Sequence, residues 1–320
     1  MTHSTHLLIT GAGGFVGQAV CAAAEMHGYH VRRALRTSSS VSAGQNSIVV
    51  GDMSLDTDWR AALQGIDVVI HLAARVHVMH EINANPLLAF RSTNVQATLQ
   101  LARQAAAADI KRFIFISSVK VNGEESKPGQ PFTADDLPAP VDPYGISKME
   151  AEQLLLEIAT ATGMEVVIIR PPLVYGPGVK GNFFSMITWL SRGVPLPLGA
   201  IGNRRSLVAL DNLVDLILLC CQHPAAVNQI FLVSDDDDLS TTALLLQMGK
   251  ALGCPVRLIP VPESWLRVGA KVINKSAMAS RLCGWLQVDI SKTKSVLGWA
   301  PPVTADEGLR RIVRAGDLRK

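Results

Sequence analysis

The sequence predicts an α/β fold, a doubly wound parallel sheet followed by a smaller C-terminal lobe. Three observations predict it. Short apolar, β-rich runs alternate with helical segments through the first half of the 320 residues. A glycine-rich turn joins the first run to the first helix, and beyond Tyr175 glycine and proline punctuate the chain densely. Runs that are apolar at nearly every position suit strands covered by helices on both faces, and their alternation with helices is that of βαβ units.

Taken in order, Leu7–Thr10, His30–Leu35, Ser47–Val50, Val68–Leu72, Phe113–Ser117 and Val166–Ile169 read as strands. Between them Gly17–His27, Trp59–Gln64, Leu87–Ala108 and Tyr144–Thr162 carry helical period and composition. The second half adds a helix over Asp211–Gln222, a strand over Ile230–Val233 and a helix from Ser240 to Leu252. This divides the chain into a doubly wound domain over residues 1–175, to which it returns around 207–234, and a lobe over 176–320. The run Asp235–Asp238 reads as an exposed acidic turn before the helix cap at Ser240.

Composition excludes several classes. The net charge of +3 is spread without a Lys/Arg block, so no nucleic-acid surface is expected. Five cysteines, Cys21, Cys220, Cys221, Cys254 and Cys283, lack any C-x-x-C spacing and read as buried thiols; no metal site is expected. The polar start before the first strand reads as no signal peptide, and the longest apolar stretch, Leu213–Cys221, is short and broken by Asp215. The expectation is a cytoplasmic protein without an integral membrane segment.

The chemistry begins at residues 10–17, TGAGGFVG. Gly11, Gly14 and Gly17 form G-x-x-G-x-x-G, a variant of the dinucleotide fingerprint, preceded by a strand and followed by a helix. The glycines permit a tight turn, backbone approach to a pyrophosphate and close helix–sheet packing, and the helix start at Phe15 and Val16 presents free N–H groups. The fold is then of Rossmann type. The second strand ends in Arg36 with no acid beside it, and an arginine there pairs with a 2′-phosphate, so the cofactor expectation is NADP or NAD, with NADP favoured. Asp52 and Met53 face adenine, and the small residues of Leu72-Ala73-Ala74 let backbone run beside the cofactor. His71 reads as a core histidine.

Residues 142–148, DPYGISK, contain Y-x-x-x-K at the start of a helix, which puts Tyr144 and Lys148 on one face. An ammonium beside the phenol lowers its pKa, and the phenol then exchanges a proton with a carbinol or carbonyl beside the nicotinamide. Ser118 lies just past the fifth strand, at the carboxyl edge where such sheets place their sites.

With these pieces in place the sequence resembles an extended short-chain dehydrogenase/reductase of the NAD-dependent epimerase/dehydratase family, over nearly its whole length. The matching segments are TGAGGFVG, GD at 51–52, HLAA at 71–74, STNV around Asn94, ISSVKVNG, DPYGISK, RPPLVYGPG, NRRSLVALDNLVD and LGWAPP. The resemblance implies that Ser118, Tyr144 and Lys148 are catalytic and that Asn94 supports the site. It places Pro171, Leu173 and Val174 by the nicotinamide and Asn182 and Arg205 by the diphosphate of a UDP-sugar, with His77, Lys120 and Asn122 contacting the sugar. It also implies a homodimer formed through the helices Leu87–Ala108 and Gly145–Thr162.

Two departures bear on the substrate: Leu173 stands where UDP-galactose 4-epimerases have an asparagine, and the arginine expected shortly before Asp289 is absent, with Gln287 nearby. The segments RVHVMHE, SSVKVNGE and RPPLVYGPGVKGNFF are similar to bacterial surface-polysaccharide (O-antigen) members of the family. The sequence therefore favours an NADPH-dependent reductase of UDP-4-keto-6-deoxy-N-acetylglucosamine. The alternative is a 4-epimerase of UDP-glucose or UDP-N-acetylglucosamine with tightly held NAD. A dehydratase is disfavoured because no acid follows Ser118, and a non-catalytic NADP sensor because both Tyr144 and Lys148 are kept.

Overall fold

In a computed structural model, residues 4–37, 46–76, 85–179, 181–272 and 276–315 are described. The chain lays down β1 (His6–Thr10), α1 (Phe15–Met26), β2 (His30–Leu35), β3 (Ser47–Val49), α2 (Arg60–Leu63) and β4 (Val68–His71). Then come α3 (Pro86–Phe90), α4 (Ala97–Ala107), β5 (Arg112–Ile116), α5 (Pro143–Thr162), β6 (Glu165–Arg170) and β7 (Leu173–Tyr175). It continues with α6 (Asn182–Ser191), β8 (Leu207–Ala209), α7 (Leu210–Gln222), β9 (Ile230–Leu232) and α8 (Thr241–Leu252). Helices α9 (Glu263–Val272), α10 (Ser276–Cys283), α11 (Ser291–Leu297) and α12 (Ala305–Arg314) complete it.

Seven strands form one parallel sheet in the order β3-β2-β1-β4-β5-β6-β9, the predicted doubly wound architecture. Strand alternation distributes the apolar runs between two cores. Leu7, Ile9, Val167 and Ile169 face a core closed by Val20, Cys21 and Ala24 of α1 and by Leu213 and Ile217 of α7. Leu8, Val166 and Ile168 face the other, closed by α2, by Leu101 and Ala105 of α4, and by Ala151 and Leu155 of α5. The order reverses between β1 and β4, so loops leaving their carboxyl ends diverge and open a crevice there.

A third core lies under the second half, where Phe183, Ile187 and Leu190 of α6 meet Leu244, Leu245 and Met248 of α8 and Leu309 and Ile312 of α12. A two-stranded parallel pair, β7 with β8, borders it; neither strand stood out from the glycine- and proline-rich sequence.

Two expectations need correction. The helix expected over Leu87–Ala108 is three pieces: α3, a π-helical turn over Arg91–Gln96, and α4. The wider turn carries the buried Asn94 and Val95, as π-bulges often do for side chains with a polar task. The acidic run is not one exposed turn. Asp235 is buried, accepting from the Tyr175 hydroxyl at 2.6 Å and from the Ala209 N–H and the Asn212 amide at 2.7 Å. Burial raises its pKa and these donors oppose the rise. Asn212 also exchanges two hydrogen bonds with the Val303 backbone, at 2.7 and 2.8 Å, so one carboxylate ties β7, β8, α7 and the segment before α12 together.

A second buried network braces α5. Arg170, at the end of β6, donates to Glu152 of α5 at 2.6 to 3.2 Å, and both are almost fully buried. The guanidinium also donates to Asn122 Oδ1 at 3.1 Å, and Asn122 Nδ2 donates to the Thr133 carbonyl at 2.8 Å. Removing one member of a buried pair strands the other charge in low dielectric. Arg170→Met is therefore expected to lower unfolding stability by about 3–5 kcal/mol, read as a lower urea midpoint at unchanged slope.

Candidate active site

The glycine loop is fixed by backbone contact. Gly11 has φ +67°, and a Cβ there would stand 2.8 Å from the Ala73 nitrogen and 2.9 Å from the Leu72 carbonyl carbon. A Cβ on Gly17 would come within 2.1 Å of the Gly11 oxygen. The N–H of Gly14 donates to that oxygen at 2.9 Å, and as the α1 cap Gly14 brings no capping side chain. The N-terminal turn of α1, from Phe15 and Val16, thus keeps its dipole end for an anion, as a dinucleotide pyrophosphate requires.

At the ends of β2 and β3, Arg36 Nε stands 3.8 Å from a carboxylate oxygen of Asp52, both exposed. No acid stands beside Arg36 in the sequence; the acid comes from the loop that follows β3. Met53 packs against the second core, and Leu72 against the first.

His71 is fully buried, its Nδ1 2.7 Å from Thr10 Oγ1 and its Nε2 2.9 Å from Thr98 Oγ1. Burial, helped by the Lys148 charge, pulls its pKa down to about 3, so it stays neutral, as a core histidine.

The carboxyl edge brings Ser118, Tyr144 and Lys148 together. Ser118 caps a short 3₁₀ turn over Val119–Val121, accepting from the Lys120 N–H at 3.2 Å. The first turn of α5 lies against that turn: a Cβ on Gly145 would stand 2.8 Å from the Lys120 oxygen. Asp142 caps α5 by accepting from the Gly145 N–H at 2.6 Å. Tyr144 is thereby brought to Ser118. Burial foremost, then the Asp142 charge, push the phenol up to about 12, while the hydrogen bond with Ser118 opposes them. Its ring meets Phe90 edge-on at 6.1 Å between centroids.

One turn along α5, Lys148 is buried. Its Nζ donates to the Ile116 carbonyl at 2.7 Å and lies 4.3 Å from the centroid of the Phe115 ring. Desolvation lowers its pKa to about 7, with Glu152 opposing. Asn94 exchanges hydrogen bonds with the Arg75 backbone, at 2.8 and 3.0 Å, and donates to Ser147 Oγ at 3.0 Å, so it ties the loop after β4 to α5.

The remaining expected positions differ. Asn122 is corrected: it is buried, and both ends of its amide are spent on Arg170 and Thr133, so it serves the core rather than a sugar. Lys120 is ion-paired with Asp142 and, at 3.2 Å, with Glu124. Pro171 is buried and its carbonyl accepts from Val119 at 3.0 Å; Val174 is half-buried and Leu173 exposed on β7. Asn182 opens α6, but its side chain lies outside the described residues, as does the whole of His77. Arg205 donates to the Gly284 carbonyl at 3.0 Å; burial lowers its pKa, opposed by Glu125 and Glu124. Gln287 donates to Asp238 at 2.7 Å.

Sequence reasoning missed Asn203, which is buried, donates to the carbonyls of Leu282 and Gly284 at 3.1 and 2.8 Å, and accepts from the Thr241 N–H at 2.9 Å. It also missed Glu152 and Arg170, although Arg170, a charge closing an apolar run, signals a buried ion. Asp142 before Pro143 was a legible cap. Among the described residues no group of three or more His, Cys, Asp or Glu could hold a metal ion, and no helix is long and apolar enough to cross a membrane.

The family model described as the NAD dependent epimerase/dehydratase family matches residues 7–234. The chain belongs to this family. A UDP-glucose 4-epimerase of Vibrio cholerae is 47% identical over 311 residues, 97% of this chain and 94% of that protein. The N-acetyl-alpha-D-glucosaminyl-diphospho-ditrans,octacis-undecaprenol 4-epimerase of Escherichia coli O157:H7 is 26% identical, covering 97% and 94%. Among solved structures, the UDP-glucuronic acid 4-epimerase of Bacillus cereus in complex with NAD superposes with a TM-score of 0.79 at 23% identity, covering 99% of this chain and all of that one. That likeness establishes the fold of this epimerase/dehydratase family member, a Rossmann-type sheet.

The Lys148 shift gives a pH signature. The unfolded lysine holds its proton up to its ordinary 10.5, whereas the native one releases it near 7. Between these values the unfolded chain binds more protons, so native stability gains as pH rises through that window. The melting temperature of ligand-free protein is expected to rise from pH 7 to 9, with a flatter rise in Lys148→Met, measured by calorimetry.

Proposed function

We propose that the chain is a 4-epimerase of a UDP-hexose or UDP-N-acetylhexosamine that works with NAD. The observation that carries this reading is the Arg36–Asp52 pair. Paired with Asp52, the Arg36 guanidinium holds a 2′-phosphate less strongly than an unpaired one would, whereas a 2′-hydroxyl can donate to the carboxylate. A cofactor held as NAD suits a reaction that returns its hydride and draws nothing from a reducing pool. The 47% identity to a UDP-glucose 4-epimerase supports the same reaction.

When bound, NAD supplies a place for the C4 hydride to leave to and return from. The rest falls to the chain. Tyr144 takes the C4 hydroxyl proton and gives it back, Ser118 holds that oxygen, and the Lys148 ammonium, when charged, favours the phenolate. The lobe over 176–320 takes the nucleotide sugar, with the remaining donors of Arg205 turned to its diphosphate. Two copies pair through the outer faces of α4 and α5, and the enzyme works in the cytoplasm.

A second reading, 4-keto reduction with NADPH in O-antigen synthesis, draws on Arg36 itself and on the apolar, exposed Leu173. Incubation with UDP-glucose or UDP-N-acetylglucosamine and no added reductant distinguishes the two. The C4 epimer, seen by proton NMR, is the expected product. No epimer, together with loss of NADPH absorbance on UDP-4-keto-6-deoxy-N-acetylglucosamine, would transfer the assignment to the reductase. Tyr144→Phe is expected to slow turnover by at least about 100-fold while cofactor binding persists. Asp52→Asn is expected to raise the affinity for NADP relative to NAD, measured by titration; an unchanged ratio would remove the argument from Asp52.

A further inference from the structure

Helix α9 has two distinct faces. Leu266 packs inward on the third core, and Ala270, one turn on, is half-buried. Trp265, Val268 and Val272, spaced i, i+3 and i+7, share another face and are 73, 65 and 81% exposed. A tryptophan and two valines displayed in one line on a helix without a buried residue are not explained by the lobe's own packing. Helix α10 packs beside α9 and adds an exposed methionine, Met278, and an exposed cation, Arg281.

Charge indicates what covers this face. On α9 and α10 the three bases Arg267, Lys271 and Arg281 stand against the single acid Glu263, a net +2. Arg267 is paired with Glu263 at 2.8 Å, and Lys271 lies exposed one turn beyond it. The apolar line therefore runs beside a cationic flank. A face of this kind suits a soft, negatively charged medium into which tryptophan and valine sink while lysine and arginine stay at the charged surface.

We propose that α9 and α10 form a docking surface for an anionic lipid bilayer. The proposal is independent of which sugar the enzyme turns over.

The test is flotation of the full chain with phosphatidylcholine vesicles, with and without phosphatidylglycerol. Binding is expected only with phosphatidylglycerol, weakened by high salt and accompanied by a blue shift of tryptophan emission. Lys271→Glu is expected to weaken it at least about fivefold. The triple variant Trp265→Ser, Val268→Ser, Val272→Ser is expected to lose at least about tenfold, with unchanged turnover and melting temperature. No binding to phosphatidylglycerol vesicles, or equal binding by the triple variant, would overturn the proposal. So would a fall in mass of the triple variant by sedimentation velocity, which would show the face to be an interface between copies.

Discussion

The arrangement at the carboxyl edge depends on one row of buried charges. Lys148 and Glu152 lie one turn apart on α5, and Glu152 meets Arg170 at the end of β6. None of the three tolerates isolation in low dielectric, so the helix can sit in only one register against the sheet. Lys148 finds the Ile116 carbonyl on β5, while the far side of Arg170 finds Asn122, just after the turn that Ser118 opens. The row thus fixes both walls of the trio, the helix carrying Tyr144 and the turn carrying Ser118. Exposed side chains could not fix it, since water would compete for every partner.

The glycine-loop end is held by a different device, the absence of side chains. At Gly11 and Gly17 the chain packs peptide against peptide, and at Gly14 the helix is capped by nothing that would occupy its anion-binding end. One end of the crevice is rigid because charges are paired inside it, the other because atoms are missing. The neutral His71 connects the two, bonded to Thr10 at the loop and shifted in part by Lys148.

Much of this was legible in the sequence because it is written locally. Apolar runs gave the parallel strands to within a residue or two, since a strand covered on both faces is apolar at most of its positions. The glycine fingerprint and Tyr144–Lys148 are likewise short-range patterns tied to one turn and one helix. Contacts between distant segments were not legible. Asn122 resembles a site residue from its neighbours in sequence, and only Arg170, 48 positions on, makes it structural. Asp52 lies across two strand ends from Arg36, and Asp235 sits in a run whose other members are more exposed. The three-residue strands β7 and β8 carry too few positions for a period to show.

The Asp235 network also has a consequence for the order in which the molecule is made. Tyr175, Asp235 and Val303 are written far apart, yet they share one knot of hydrogen bonds. A ribosome delivers the first six strands of the large sheet, and the glycine loop with them, long before Val303 emerges. Until then Asn212 lacks its backbone partner, and the lobe that borders the crevice remains open. The nascent chain therefore carries a finished glycine loop and sheet beside an unfinished lobe. Cofactor captured at that stage would stabilise the half already built by mass action while the remainder is still being translated.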